Sequence, residues 1–395
     1  MTDFPTLQVP VYAFTIWFGF YLLARHPQKA VMRYAGLGLV AYAFGLEVDT
    51  LAGLMDDNEG LLRWRPLIAL LPALCWLGAM KSIREYDNQQ NLPRRPLLVF
   101  LIGSIFFFLG IGMLVLPFEF ISSDLAVIGI GGDLVMLSYA IAVLDAYDEG
   151  ESFLPDALRS LGASAVVTLI FGGQVALVMV INDEVTLEMV ILLLGTISAA
   201  IFLQTFSDTI QILFDRLLLS RLPALQVERA ELRGVAAALP RVDDSLDVVA
   251  MDDAEFARLT RRALSHMGNL SRLASNPLTR LVVVETRLAE RGQQGNTLER
   301  AAELKVLLTE SINRLKPRDK GDYGVSDEWR YFNAVYFPYV LGIKPYSRRM
   351  MFDEFEANTK DVIEWFRVQV PERTLHNWQN AASRLIAQDL REMDV

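Results

Sequence analysis

The residues of this chain best placed to do chemistry are polar groups set inside otherwise uncharged apolar runs. Asp133 follows Gly131 and Gly132 near the middle of Leu125–Leu144, Glu47 and Asp49 lie late in Tyr34–Leu54, and Gln174 interrupts Leu161–Ile181. A lone carboxylate at mid-bilayer costs at least about 2.5–3.5 kcal/mol, so such a group is neutralised, paired or put to use. Glu47, Asp49, Asp133 and Gln174 together offer a polar intramembrane site for a ligand, a cation or a proton. The plainer reading is a protonated Asp133 hydrogen-bonded inside a bundle, Glu47 and Asp49 at the interface or paired with Arg63 or Arg65, and Gln174 as interhelical glue. Gly131 and Gly132 would let another backbone approach closely.

A second set lies near the carboxy terminus. Asp361–Val368 reads as a short helix with Val362, Trp365 and Phe366 inward; Gln369 and Val370 make a tight connection; Pro371 opens a helix over Glu372–Leu390. Proline in the first turn and Glu372 near the positive end of the helix dipole both suit that start. Two helices joined so tightly form a helix-turn-helix candidate. The second helix would present Arg373, Thr374, His376, Asn377, Gln379 and Asn380, side chains that can contact phosphates and base edges, while Leu375, Trp378, Ala382 and Leu385 pack. The run from Val370 to Ala387 (VPERTLHNWQNAASRLIA) resembles the second helix of bacterial helix-turn-helix regulators, and Trp329–Gly342 is similar to the aromatic helix that precedes that motif in some of them. The resemblance covers about the last 70 residues and implies DNA as a partner. It departs at Gln369, where glycine is usual, and in charge: Lys360–Val395 holds five Lys+Arg and six Asp+Glu. A protein-docking helical pair is the alternative.

Other chemistries find little support. One cysteine, Cys75, excludes an intramolecular disulfide framework, and three histidines make a histidine-built metal centre improbable. Ser265-His266 ahead of Pro277-Leu278 has a faint likeness to a phospho-accepting histidine box, but only 118 residues follow Pro277, without an asparagine box or a paired-glycine ATP cradle. Asp319, Gly321 and Gly324 lack the strand-to-helix setting of a phosphate site. His266 is therefore expected to be an ordinary helical residue. The chain is expected to be neither an enzyme nor a cofactor carrier.

The elements that must position these groups fall into two halves. Of 395 residues, 52% are apolar and 21% charged; up to Ser220 there are 11 Lys+Arg against 21 Asp+Glu, and after it 26 of each. Seven apolar runs approach the roughly 20 residues that cross a bilayer. They are Val9–Ala24, Tyr34–Leu54, Pro66–Met80, Pro96–Pro117, Leu125–Leu144, Leu161–Ile181 and Met189–Phe206. Arg25, Lys29, Arg33, Lys81, Arg84, Arg94, Arg95 and Arg159 share one side, whereas Arg63 and Arg65 stand on the other with Asp56, Asp57, Glu59, Asp183 and Glu184. Basic loops stay in the cytoplasm, so the amino terminus is expected outside and everything after Phe206 inside. No cleavable signal peptide is evident, because Met1–Gln8 lacks a basic n-region.

The apolar periodicity continues through Thr205–Leu219, as a stalk leaving the bilayer or an amphipathic segment on its surface. Pro223 ends that pattern, and Pro240–Asp253 is an acidic linker. Helices are expected over Asp253–Leu264, Pro277–Glu290 capped by Asn276, and Thr297–Leu315 capped by Asn296. Lys316–Val325 reads as a loop and Ser326–Leu341 as an aromatic helix, broken at Pro338 or ended at Gly342.

The fold expected is all-α: a seven-helix transmembrane bundle (1–206), a stalk and linker (207–252), and an all-helical cytoplasmic domain (253–395) with a helix-turn-helix-like end. The function expected is a sensor or regulator of the bacterial inner membrane. Its partners would be the lipid bilayer, DNA or a cytoplasmic protein, and further copies of itself. A transporter or channel with a regulatory tail is the alternative.

Overall fold

The computed structural model describes residues 8–55, 65–90, 103–105, 123–149, 151–182, 185–218, 250–293, 295–318, 323–346 and 357–394, with isolated positions between 229 and 248. The regular structure among the described residues is all helix, without a β-strand. They divide into two compact units: Met1–Asp145 with Phe153–Arg221, and Ala146–Ser152 with Leu222–Val395. The chain thus passes between units after Asp145, after Ser152 and after Arg221.

The first unit contains α1 (Gln8–Arg25), α2 (Ala30–Ala52), α3 (Arg65–Gln90), α4 (Ser123–Glu149), α5 (Leu154–Asn182), α6 (Leu187–Thr205) and α7 (Ser207–Leu218), less the final turn of α4. Among the described residues four helices are long and apolar enough to cross a membrane: α2, the Gly129–Glu149 part of α4, α5 and α6. In α3 the apolar stretch is shorter, Leu70–Ile83. Of the expected spans, Pro96–Pro117 lies outside the described residues except for helical positions 103–105. Large apolar side chains such as Leu169, Val180, Ile181 and Leu203 stand exposed along α5 and α6. A water-soluble helix would bury that surface; a helix in lipid need not.

Small residues set the close contacts in this unit. A Cβ on Gly19 would sit 2.8 Å from Val40 Cγ2 and 2.9 Å from Gly36 O, and one on Gly36 would sit 2.7 Å from Gly19 O. The α1–α2 pair therefore touches backbone to backbone, the device by which membrane helices gain dispersion contact without a hydrophobic drive. Gly131 admits the Tyr42 phenol rather than a backbone, and Gly132 faces open space. On α5 only Ala157, Ser164, Gly172 and Met179 are buried, a single narrow seam that packs on α6.

The second unit is built on α8 (Asp253–His266), α9 (Leu270–Ala274), α10 (Val282–Glu290), α11 (Thr297–Arg314), α12 (Arg330–Val335), α13 (Ala357–Gln369) and α14 (Glu372–Met393). Its larger core gathers Phe256, Leu259, Leu264, Leu304, Leu307, Leu308, Phe332, Ile386 and Leu390. A smaller one holds Phe337, Val362, Ile363, Phe366, Val370 and Leu375. Asn296 caps α11 in a full capping box with Glu299, and Asn276 caps the 3-10 turn Pro277–Arg280.

Three elements depart from expectation for visible reasons. The helix expected over Pro277–Glu290 divides at Leu281, extended at φ −54 and ψ 140, where packing its buried side chain overrides helix propensity. The aromatic segment divides into a 3-10 turn (Asp327–Trp329), α12 and a π-turn (Tyr336–Val340), then stops at Gly342 with φ +70. Pro338 has no N–H to continue the α-helical ladder, so bonding shifts to the wider step seen from Leu341 N to Tyr336 O, 3.1 Å. The helix expected to run on past the last span meets a break at Phe206 (φ −98, ψ 15) between α6 and α7, and α7 groups with the first unit.

Candidate functional site

In the first unit the close α1–α2 approach sets an antiparallel register that brings Tyr12 to Glu47 and Gln8 to Thr50. Tyr12 OH donates to Glu47 Oε2 at 3.4 Å and shares a hydrogen bond with Ser198 of α6. Thr50 Oγ1 lies 2.8 Å from Gln8 Oε1 and 2.7 Å from Leu46 O. Glu47 therefore sits in a network of hydroxyls, and no basic side chain among the described residues pairs with it. Asp49 and Asp133 are half-buried, and Gln174 is exposed on α5. Among the described residues no hydrogen bond joins Glu47, Asp133 and Gln174 to one another. Arg63 lies outside the described residues, as do Asp56, Asp57 and Glu59.

An ion network at the other end of α1 escaped the sequence reading. Arg25, whose side chain has no exposed surface, donates to Asp156 Oδ2 at 2.6 Å and to Tyr21 OH at 2.7 Å. Tyr21 OH donates to the same Asp156 oxygen at 2.7 Å. Asp145 accepts from His26 Nδ1 at 2.6 Å and from Lys29. Arg25 and Lys29 thus balance Asp145 and Asp156, and the four groups tie the α1–α2 turn to the last turns of α4 and the first of α5. By sequence Arg25 and Lys29 are only basic residues after the first apolar run. Their partners are more than a hundred positions away and carry no local signal.

In the second unit the segment Ala146–Ser152, the last turn of α4 and the link to α5, is held from several sides. Glu149 is 3% exposed and accepts from Arg262 through Nε at 2.5 Å and again through Nη2. His266 Nε2 stands 3.3 Å from the same carboxylate, which makes His266 a buried partner rather than an accessible phospho-acceptor. Arg258 donates to Asp148 O at 3.1 Å and to Tyr147 O, with its guanidinium 4.2 Å over the Tyr147 ring. Ser275 donates to Glu151 Oε1 at 3.2 Å, and Ser152 N to Arg241 O at 2.7 Å. Every charged side chain of this seven-residue connection is matched.

The helix-turn-helix candidate is made by α13 and α14. The turn does without glycine because Gln369 stays helical and Pro371 supplies an extended step, φ −61 and ψ 144. Tyr346 OH donates to Val370 O at 2.7 Å, and Trp365 stacks on Trp378 at 5.6 Å. Burial, with the nearby Glu372 carboxylate, pushes the Tyr346 phenol up. On α14 Arg373, His376 and Asn377 are exposed, and Thr374 and Asn380 are half-exposed. Gln379 is not on that face: it is buried and donates to Ala334 O at 3.2 Å. Leu385, expected inside, is on the exposed side because the inward stripe runs Leu375, Gln379, Ala382, Ser383, Ile386, Ala387 and Leu390. No family model, no curated protein and no solved structure matches this chain.

Proposed function

We propose that the chain is a multi-pass sensor or regulator of a bacterial inner membrane, with seven spans, an outer amino terminus and a cytoplasmic helical output unit. The observation that carries this reading is the capture of Ala146–Ser152, the connection between two candidate spans, by Arg258, Arg262, His266 and Ser275 of the helical unit. A loop that is part of both a membrane helix pair and a folded cytoplasmic core is a route for a population shift: a stimulus that moves α4 against α5 displaces groups inside the output unit. Arg25, Lys29, Asp145 and Asp156 fix the same helix ends in the resting arrangement.

The output proposed is sequence-selective DNA binding through Arg373, Thr374, His376, Asn377 and Asn380. The resemblance of this segment to helix-turn-helix regulators and its exposed polar face support that output. The test is capture of fragmented genomic DNA by the full chain in nanodiscs, read by sequencing. Arg373→Ala, if that side chain reads a base edge, weakens retention by about 1–3 kcal/mol, or roughly 5- to 150-fold. Arg262→Met, which is not one of the proposed contact residues, is expected to alter retention through the segment it holds. Retention without sequence preference would remove DNA as the output and leave a protein partner.

One observation favours transport instead: the Tyr12, Glu47 and Ser198 network links three helices of the first unit. Substrate-dependent flux in proteoliposomes, lost in Glu47→Gln, would establish that reading.

A further inference from the structure

The helix that follows the last span has a character of its own. None of the residues of α7 is buried, and Leu213, Phe214, Leu217 and Leu218 are each more than half exposed. With Ile210 these fall on one arc of a 3.6-residue period, while Asp208, Gln211, Asp215 and Arg216 occupy the other, broken only by Ile212. Twelve residues span about 18 Å, too short for the roughly 30 Å hydrocarbon core. In water a free-standing stalk would leave this apolar arc wet along its whole length. The preceding α6 exposes Leu192, Phe202 and Leu203 in the same manner, and Phe20, Phe202 and Phe206 cluster where α6 stops.

We infer that α7 lies in the membrane–water interface on the same side as the end of α6, its Ile210–Leu213–Phe214–Leu217 arc in the acyl region. The partner is the lipid surface itself. The helix carries two aspartates and one arginine, so apolar area drives its insertion and anionic headgroups contribute nothing. Phe206, where the helix is interrupted at φ −98 and ψ 15, is the point at which the inference places the change from a transmembrane to an in-plane direction. The last span is then moored to the bilayer at its end and cannot act as a stiff rod, which leaves the Ala146–Ser152 connection as the route between membrane and output unit.

The inference rests on the membrane reading of α5 and α6, and the experiment separates the two. In the full chain with Cys75→Ser, single cysteines replace Asp208, Ile210, Gln211, Leu213, Phe214, Arg216 and Leu217 in turn, with Leu169→Cys in α5 as a reference. Each is spin-labelled in phosphatidylcholine vesicles with and without phosphatidylglycerol, and collision rates with oxygen and with a water-soluble nickel chelate are measured. The expected result is oxygen dominant at 210, 213, 214 and 217, nickel dominant at 208, 211 and 216, and no change with phosphatidylglycerol. Nickel access at every α7 position beside an oxygen-accessible 169 would overturn the interfacial helix alone. Low access to both reagents at the apolar positions would also overturn it, because a protein surface would then be the cover. Nickel access at 169 would overturn the membrane reading with it.

Discussion

Arg262→Met is the most informative single perturbation of the loop. Glu149 is 3% exposed and Arg262 contributes two donors to it, with 21% of its own side chain exposed. Methionine preserves the aliphatic stem but leaves a buried carboxylate without its two guanidinium donors, beside His266 at 3.3 Å. Removing one member of a buried ion pair costs about 3–5 kcal/mol; the partial exposure of Arg262 places this case near the lower end. At 1.4 kcal/mol per tenfold, about 3 kcal/mol is a hundredfold rise in the opening of the segment. Hydrogen exchange of the full chain reads this directly, because the amides of Glu151 and Ser152 are bonded to Ala146 O and Arg241 O. Peptides covering 146–152 should exchange about a hundredfold faster, whereas those from Thr297–Arg314 should not change. Glu149→Gln should cost less, since Arg262 then turns to Asp148 and water, and the double variant should fall short of the sum of the two. Unchanged exchange of 146–152 in Arg262→Met would refute the argument that this ion pair secures the loop.

Two further outcomes are expected. Gly19→Leu forces a side chain into backbone and Val40 atoms already at 2.8–2.9 Å from a Cβ, so detergent-purified protein should lose about 1–3 kcal/mol or fail to fold, while Gly38→Ala, whose Cβ meets Cys75 Cβ at 3.4 Å, should be tolerated; thermal aggregation midpoints compare them. The Arg287 fork, at 3.0 and 2.8 Å, holds the Glu310 carboxyl below its usual range, so its stabilisation is complete above the unfolded-state value and is lost as pH falls through the lower folded one; Arg287→Met should flatten that acid limb in melting curves taken at successive pH values.

What the sequence made legible was whatever is local. Apolar runs bounded by charge located α1 to α6 to within a turn or so at most ends, because desolvation of twenty residues leaves few alternatives. The Asn276 and Asn296 caps could be read because a cap bonds only two or three positions on. The ion network around Arg25 and the grip on Glu149 were illegible, since their partners lie 131 and 113 positions apart. An apolar-or-polar pattern shows that a charged residue is near a helix end, not which distant carboxylate will meet it. For Glu47, Asp49, Asp133 and Gln174 the position along each helix was readable but the rotation of the helix was not, and Gln174 is on the outside.

Gln379 shows how one local rule can reach a distant residue. Pro338 cannot donate to the carbonyl of Ala334 four residues before it, and Ala334 is fully buried. A buried carbonyl without a donor is unfavourable, and Gln379 supplies one at 3.2 Å from the middle of α14. The side chain that spacing assigned to a base-reading face is thus a repair of the helix break made by the proline, and it joins α12 to α14. Gln379→Leu should therefore destabilise the second unit by about 1–3 kcal/mol, the desolvation penalty of an orphaned acceptor. Replacing Pro338 by alanine in the same chain restores the missing N–H and should recover part of that loss, so the two substitutions must be non-additive. Thermal unfolding of the four proteins tests the pair, and strict additivity would show that Gln379 does not compensate for Pro338. DNA capture supplies the complementary reading: at equal folded fraction Gln379→Leu should retain what the full chain retains, whereas Arg373→Ala should not.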